Sequence, residues 1–158
     1  MSLVIKTALG RNDIAKVIDQ VQGYKAELQE KTDRLIQEVI EDGAKYLRNE
    51  IVQLDAVETG ELLNSISTNY DTTNQVGTIY STAPHAIFVE YGTGVRGQTT
   101  PHPSGFGQYS DKERWFYFDE REGRWRMTCG MESRPIFWNT AQALPDMIND
   151  KAKEIFST

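Results

Sequence analysis

Residues 88–97 read Phe-Val-Glu-Tyr-Gly-Thr-Gly-Val-Arg-Gly. Two folds compete for this stretch. Gly92, Gly94 and Gly97 spell G-x-G-x-x-G directly after the apolar run Ala86-Ile87-Phe88-Val89, as where a strand feeds a dinucleotide-binding turn. That turn needs a helix to open inside the motif, so that its N-terminus faces a pyrophosphate. Residues 98–107 instead read Gln-Thr-Thr-Pro-His-Pro-Ser-Gly-Phe-Gly, with two prolines and two more glycines. Such a composition is expected not to open a helix. Glu113 or Asp119 could stand in for the acidic partner of a ribose, but acids are common throughout this chain. The stretch therefore reads as a strand, His85 to Tyr91, running into a mobile, exposed Gly/Pro-rich loop over 92–112. A nucleotide-binding enzyme built on Gly92–Gly97 is the least favoured reading.

Upstream, the hydrophobic period is helical. Ile14, Val17, Ile18 and Val21 fall at i, i+3, i+4, i+7, with Asn12 or Asp13 placed to cap a short N-terminal helix within 1–22. Gly23 is expected to loosen the chain. A longer pattern then runs through Leu28, Leu35, Ile36, Val39, Ile40, Leu47, Ile51 and Leu54, predicting an amphipathic helix from about 24 to 54. Glu27, Lys31, Arg34, Glu38 and Lys45 mark its solvated face. Thr59 is placed to cap one helical turn, from which Leu62 and Leu63 would plug the junction with the first strand. Alternation at Ile66, Thr68, Tyr70 and again at Val76, Thr78, Tyr80, around Asp71-Thr72-Thr73-Asn74, predicts a hairpin.

Downstream, Trp115-Phe116-Tyr117-Phe118 reads as a strand, Asp119–Gly123 as a tight turn and Arg124–Cys129 as a second strand. Pro135 starts a helix with Phe137, Ala141, Leu144, Ile148, Ala152 and Ile155 on one face, and Pro145 is expected to kink or split it. The order predicts one α+β domain over 1–158: a long N-terminal helix and a C-terminal helix packed on one face of an antiparallel sheet of about five short strands. Trp115, Trp125 and Trp138, with Phe116, Phe118 and Phe137, are expected to fill the space between sheet and terminal helix.

Composition narrows the function. The 158 residues carry a net charge of −6, which argues against a primary grip on DNA or RNA but is compatible with a ring whose acidic lumen lets DNA pass without sticking. A lone Cys129 permits no internal disulfide, and no run near 18 apolar residues or export signal is present. His85, His102 and Cys129 lack zinc-ligand spacing, and a Cys129–His85 nucleophile pair is less favoured than a strand cysteine and a strand-start histidine. No phosphate loop or nucleophile elbow occurs. The residues thus point to no catalytic site, no cofactor and no metal.

Four blocks, in order, resemble a family. Val57-Glu58-Thr59-Gly60-Glu61-Leu62-Leu63-Asn64-Ser65-Ile66 is similar to the Val-Asp-Thr-Gly-x-Leu-x-x-Ser-Ile segment of bacteriophage tail-component proteins, the head–tail joining or tail-completion proteins of long-tailed phages and prophages. His85–Gly94 resembles that family's Tyr-Ala-x-x-Val-Glu-x-Gly-Thr-Gly. Trp125–Met131 and Arg134-Pro135-Ile136-Phe137 resemble its closing strand and the start of its last helix. The chain departs in having Ala56 for a proline and Glu58 for an aspartate, and Pro145 in place of an earlier helix proline.

The resemblance implies a non-enzymatic virion protein, made in the bacterial cytoplasm, that forms a ring of six copies around the DNA passage. The ring would join the head connector to tail-tube or tail-terminator proteins without a membrane or specific DNA binding. It marks Thr59, Gly60, Leu62, Glu90, Tyr91, Gly92, Thr93, Gly94, Val95, Arg96, Gly97, Pro135 and Phe137 as motif and assembly-interface residues. The mobile loop and the polar face of the long helix would make the contacts, so removing 95–108 is expected to leave a folded monomer. The alternative is a bacterial protein-interaction module with no virion role.

Overall fold

A computed structural model describes residues 11–56 and 60–157. Helix α1 runs without a break from Arg11–Gln53, so the two expected N-terminal helices are one. Asn12 and Asp13 lie inside it rather than capping it. Gly23 fails to interrupt α1 because one glycine costs a helix only about 1 kcal/mol, which favourable neighbours on both sides can carry. Thr59 lies outside the described residues. Gly60, at φ 77°, is the residue from which the single turn α2 (Glu61–Asn64) starts.

Strands β1 (Ile66–Asp71) and β2 (Val76–Ser81) form the expected antiparallel hairpin, with Ile66 opposite Ser81 and Asp71 opposite Val76. Asp71 holds the turn by accepting the N–H groups of Thr73 and Asn74. The hairpin lies on the C-terminal half of α1. The approach is close because Gly77 presents no side chain to α1; a Cβ there would stand 2.5 Å from Ile40. The Tyr70 hydroxyl donates to Asp33 on α1, and that bond pushes the phenol up to about 12.

The expected third strand is a helix, α3 (Ala86–Tyr91). Four apolar residues in a row suit a buried helix turn as well as a strand, and Pro84 just upstream suits a helix start. A second short helix, α4 (Gly94–Thr99), opens inside the glycine motif and stops before Pro101. The expectation that no helix opens there is therefore wrong. The prolines end the helix rather than prevent it.

Strands β3 (Trp115–Asp119) and β4 (Arg124–Thr128) form a second hairpin, and β5 (Gly130–Met131) follows. The two hairpins are separate two-stranded sheets, not one five-stranded sheet. Helix α5 (Ile136–Phe156) runs through Pro145 undivided and packs along α1. Asn139 donates to Glu50 across that contact, and Lys151 reaches Glu38 and Asp42.

The core sits where α1, α2, β1, α3 and the start of α5 converge. Ala44, Leu47, Ile51, Leu62, Ile66, Ala83, Val89 and Ile136 fill it, with Leu63 packed against its edge. Leu62 thus plugs the junction as expected. The aromatic strands do not join this core. Phe116, Phe118 and Trp125, expected to fill the space between sheet and terminal helix, are exposed instead, because aromatic content does not say what covers either face of a hairpin.

Candidate functional site

The glycine motif is tied down at both ends. Thr93 and Gly94 bridge to Met131 and Gly130, and Gly94 N–H donates to Ser110 O while Tyr109 N–H donates to Gly92 O. A Cβ on Gly92 would stand 2.7 Å from the Ser133 nitrogen, and one on Gly94 2.5 Å from the Cys129 carbonyl. The space a pyrophosphate would need beside these glycines is filled by the chain's own backbone. The glycines of the motif are thus packed against the chain's own backbone, whereas most of the residues from Gln98 to Lys112 are exposed.

Glu90 is the hub of that packing. It is buried on α3, and its carboxylate crosses to the start of α5: Oε2 accepts Phe137 N–H at 2.8 Å and Oε1 accepts Trp138 N–H at 2.9 Å. These are orphan donors of a helix N-terminus, which a carboxylate satisfies in both hydrogen bonding and charge. Oε1 also faces Nε2 of His102 at 2.9 Å, with His102 itself buried. The Ser104 N–H and hydroxyl both point at His102 Nδ1, so Nδ1 accepts and Nε2 carries the hydrogen that goes to Glu90. The Glu90 carbonyl in turn accepts from Ser133 Oγ at 2.7 Å. Among the described residues no buried side-chain polar atom lacks a partner.

Hydroxyl, imidazole and carboxylate stand in a line here, as in a proton relay. Their remaining partners are all backbone groups of the loop and of α5, so the line fastens loop to helix. Sequence reading singled out Glu90 but not its partners His102 and Ser104. The eleven residues between Glu90 and His102, short helix α4 among them, carry no period that would have signalled the contact.

Of the other residues marked in the sequence, Leu62, Gly92, Thr93, Gly94 and Gly97 are buried within the chain. Tyr91, Pro135 and Phe137 are half-buried, as is Gly60, and among the described residues of the set only Val95 and Arg96 are well exposed. Most of the motif therefore holds this fold together, and two of its residues face outward.

A different surface is conspicuously open. In the β3–β4 register Phe116 pairs with Met127 and Phe118 with Trp125, which places all four on one face. They are 68%, 54%, 48% and 69% exposed. The opposite face carries Tyr117, Arg126, Asp119 and Arg124. At the turn Asp119 accepts the N–H groups of Glu122 and Arg121 and a bond from Arg126, and the Glu122 N–H foremost holds its carboxyl below the usual range.

A groove of about 480 Å³ runs between α1, β2 and α5, lined by Leu35, Val39, Ile79, Phe137, Leu144 and Ile148 among others. Thr140 alone interrupts its apolar lining. No described helix is long and apolar enough to cross a membrane, and no metal-holding cluster of His, Cys, Asp or Glu occurs among the described residues.

Residues 19–92 match the model of the family described as Bacteriophage HK97-gp10, putative tail-component. The matched span takes in most of α1, α2, the β1–β2 hairpin and α3, and ends at Gly92. The aromatic hairpin and α5 lie beyond it. No curated protein and no solved structure matches the chain. Over its matched span, then, the chain is similar to a phage tail component, which is a structural part of a virion.

Proposed function

From a chain whose residues 19–92 match a phage tail-component family, we propose a virion structural protein that acts in head–tail joining or tail completion. Copies assemble as a ring, six-fold in the virion, between the head connector and the tail-tube or tail-terminator proteins, and DNA passes through without specific binding. The family match carries this reading. The net charge of −6 supports it, because an acidic protein does not hold the phosphate backbone. Val95 and Arg96, the exposed members of the glycine motif, are assigned to contacts with a neighbouring virion protein.

Removing 95–108 is no test of this role, since it would strip His102 from Glu90 and disturb the fold. The test is a nonsense mutation in the gene within its phage or prophage, followed by electron microscopy of the lysate. DNA-filled heads beside unattached tails are expected, with joining restored by the protein supplied from a plasmid. Normal infectious particles would sink the proposal, and would leave a bacterial interaction module as the reading to pursue.

A further inference from the structure

We propose that copies of this chain join head to tail, with the apolar face of one copy's β3–β4 hairpin seated in the α1/β2/α5 groove of the next. This rests on the ring reading above and names its contact.

The hairpin supplies the inserting face. Phe116, Phe118, Trp125 and Met127 stand together, each about half exposed or more, and together present roughly 450 Å² of apolar surface. A monomer's largest apolar patch is about 300–600 Å² and is often functional. A two-stranded sheet is also marginal on its own in water. These strands of five residues make little contact with the helices, so a covering partner would hold them as well as bury them.

The groove supplies the receiving face. Its volume of about 480 Å³ falls in the range that admits large side chains or small ligands, and its lining is apolar. It is also continued along α1. Ile14, Ile18, Val21, Leu28, Leu35 and Val39 fall three, four or seven residues apart, which places them on one stripe of the helix, interrupted by Lys25 and Thr32. The first four are exposed, and Leu35 and Val39 line the groove. A neighbour entering the groove therefore meets an apolar track leading into it.

Three considerations identify the occupant as another copy of the chain. Face and groove lie on different elements of one molecule, so each copy offers both halves of a heterologous contact, and such contacts close into rings. The hairpin face, the groove lining and the α1 track together approach the ~1,000 Å² expected of a specific interface. Two hairpin faces packed on each other would leave the groove and track open. Charge points the same way: Arg114, Arg121, Arg124 and Arg126 are offset by Glu113, Asp119, Glu120 and Glu122. A neutral hairpin has no special attraction for nucleic acid or an anionic bilayer.

The test is sedimentation velocity of the full chain from ~1 μM to ~1 mM, with Trp125→Glu removing the inserting face and Ile148→Glu blocking the groove. Both side chains are exposed, so both variants are expected to fold, as checked by circular dichroism. Wild type should associate beyond a dimer. Each variant should associate at least ~30-fold more weakly. An equal mixture of the two should form a dimer that grows no further, the intact hairpin of one filling the intact groove of the other.

If either variant is misfolded, Met127→Glu and Ala141→Glu replace them on the same two surfaces. Association of Ile148→Glu like wild type, with Trp125→Glu monomeric, would overturn the groove contact in favour of hairpin-to-hairpin pairing. Wild-type association by both variants would overturn this contact and leave the ring reading standing. A wild-type chain monomeric throughout would overturn both.

Discussion

Nε2 of His102 lies 2.9 Å from Oε1 of Glu90, although the chain between them holds three glycines and a proline. The same carboxylate accepts two backbone N–H groups of α5. One side chain thus fixes the conformation of an irregular segment and the position of a 21-residue helix.

Glu90→Gln is expected to destabilise the fold by about 2–4 kcal/mol, because the amide keeps one acceptor and turns a donor toward buried donors. His102→Ala should cost less, since Phe137 and Trp138 would still satisfy the carboxylate. Urea unfolding of both variants checks the order. A harmless Glu90→Gln would contradict the hub role.

Leu47→Ala should cost about 2–5 kcal/mol, because Leu47 is fully buried where α1 meets the core. Trp125→Ser should cost no more than about 1 kcal/mol in the monomer, where it loses an edge contact with Phe118 and little else. Paired chemical denaturation curves would show the contrast. Equal losses would mean that the hairpin is more deeply involved in the fold than its exposure indicates.

Two glycines should respond with opposite sign. Nothing lies within 4 Å of a Cβ built on Gly23, so Gly23→Ala should raise helicity, gaining roughly 1 kcal/mol locally. Gly130 has φ 99° and would place a Cβ 1.8 Å from the Thr93 carbonyl oxygen. Gly130→Ala should therefore cost about 3 kcal/mol or more. Circular dichroism melts distinguish the two outcomes.

Asp119 gives the aromatic hairpin a pH dependence. Its folded-state pKa is lowered, mainly by the Glu122 N–H and with help from Arg126. Its contribution is therefore complete at neutral pH and disappears as pH falls through the lowered value, below about 4. NMR titration of Asp119 should show that lowered midpoint, with the β3–β4 amide signals shifting as the turn loosens. Asp119→Asn should remove the transition.

Helical period was the most legible part of the chain. Ile36, Val39, Ile40, Leu47 and Ile51 place the C-terminal half of α1 correctly because an amphipathic helix writes its buried face into sequence at every turn. The β1–β2 alternation was equally clear. Ala86–Val89 was misread because four apolar residues carry no period, and the preference for helix came from Pro84 and from contacts distant in sequence. The Glu90–His102 bond and the exposure of Phe116 and Trp125 are tertiary facts. No local pattern states which side chain meets a carboxylate twelve residues away, or which face of a hairpin goes uncovered.

Helix α1, about 64 Å long from its 43 residues, has two thermodynamic identities. From Val39 to Ile51 it contributes to the core, whereas from Ile14 to Glu30 its side chains are mostly open to solvent. Backbone amides between Ile14 and Glu30 can open by fraying alone, and those between Val39 and Ile51 only when the domain unfolds. Hydrogen exchange along this one continuous helix should therefore fall from near-unprotected rates to the global limit. Where protection begins marks the last residue that the isolated protein can hold without a neighbour.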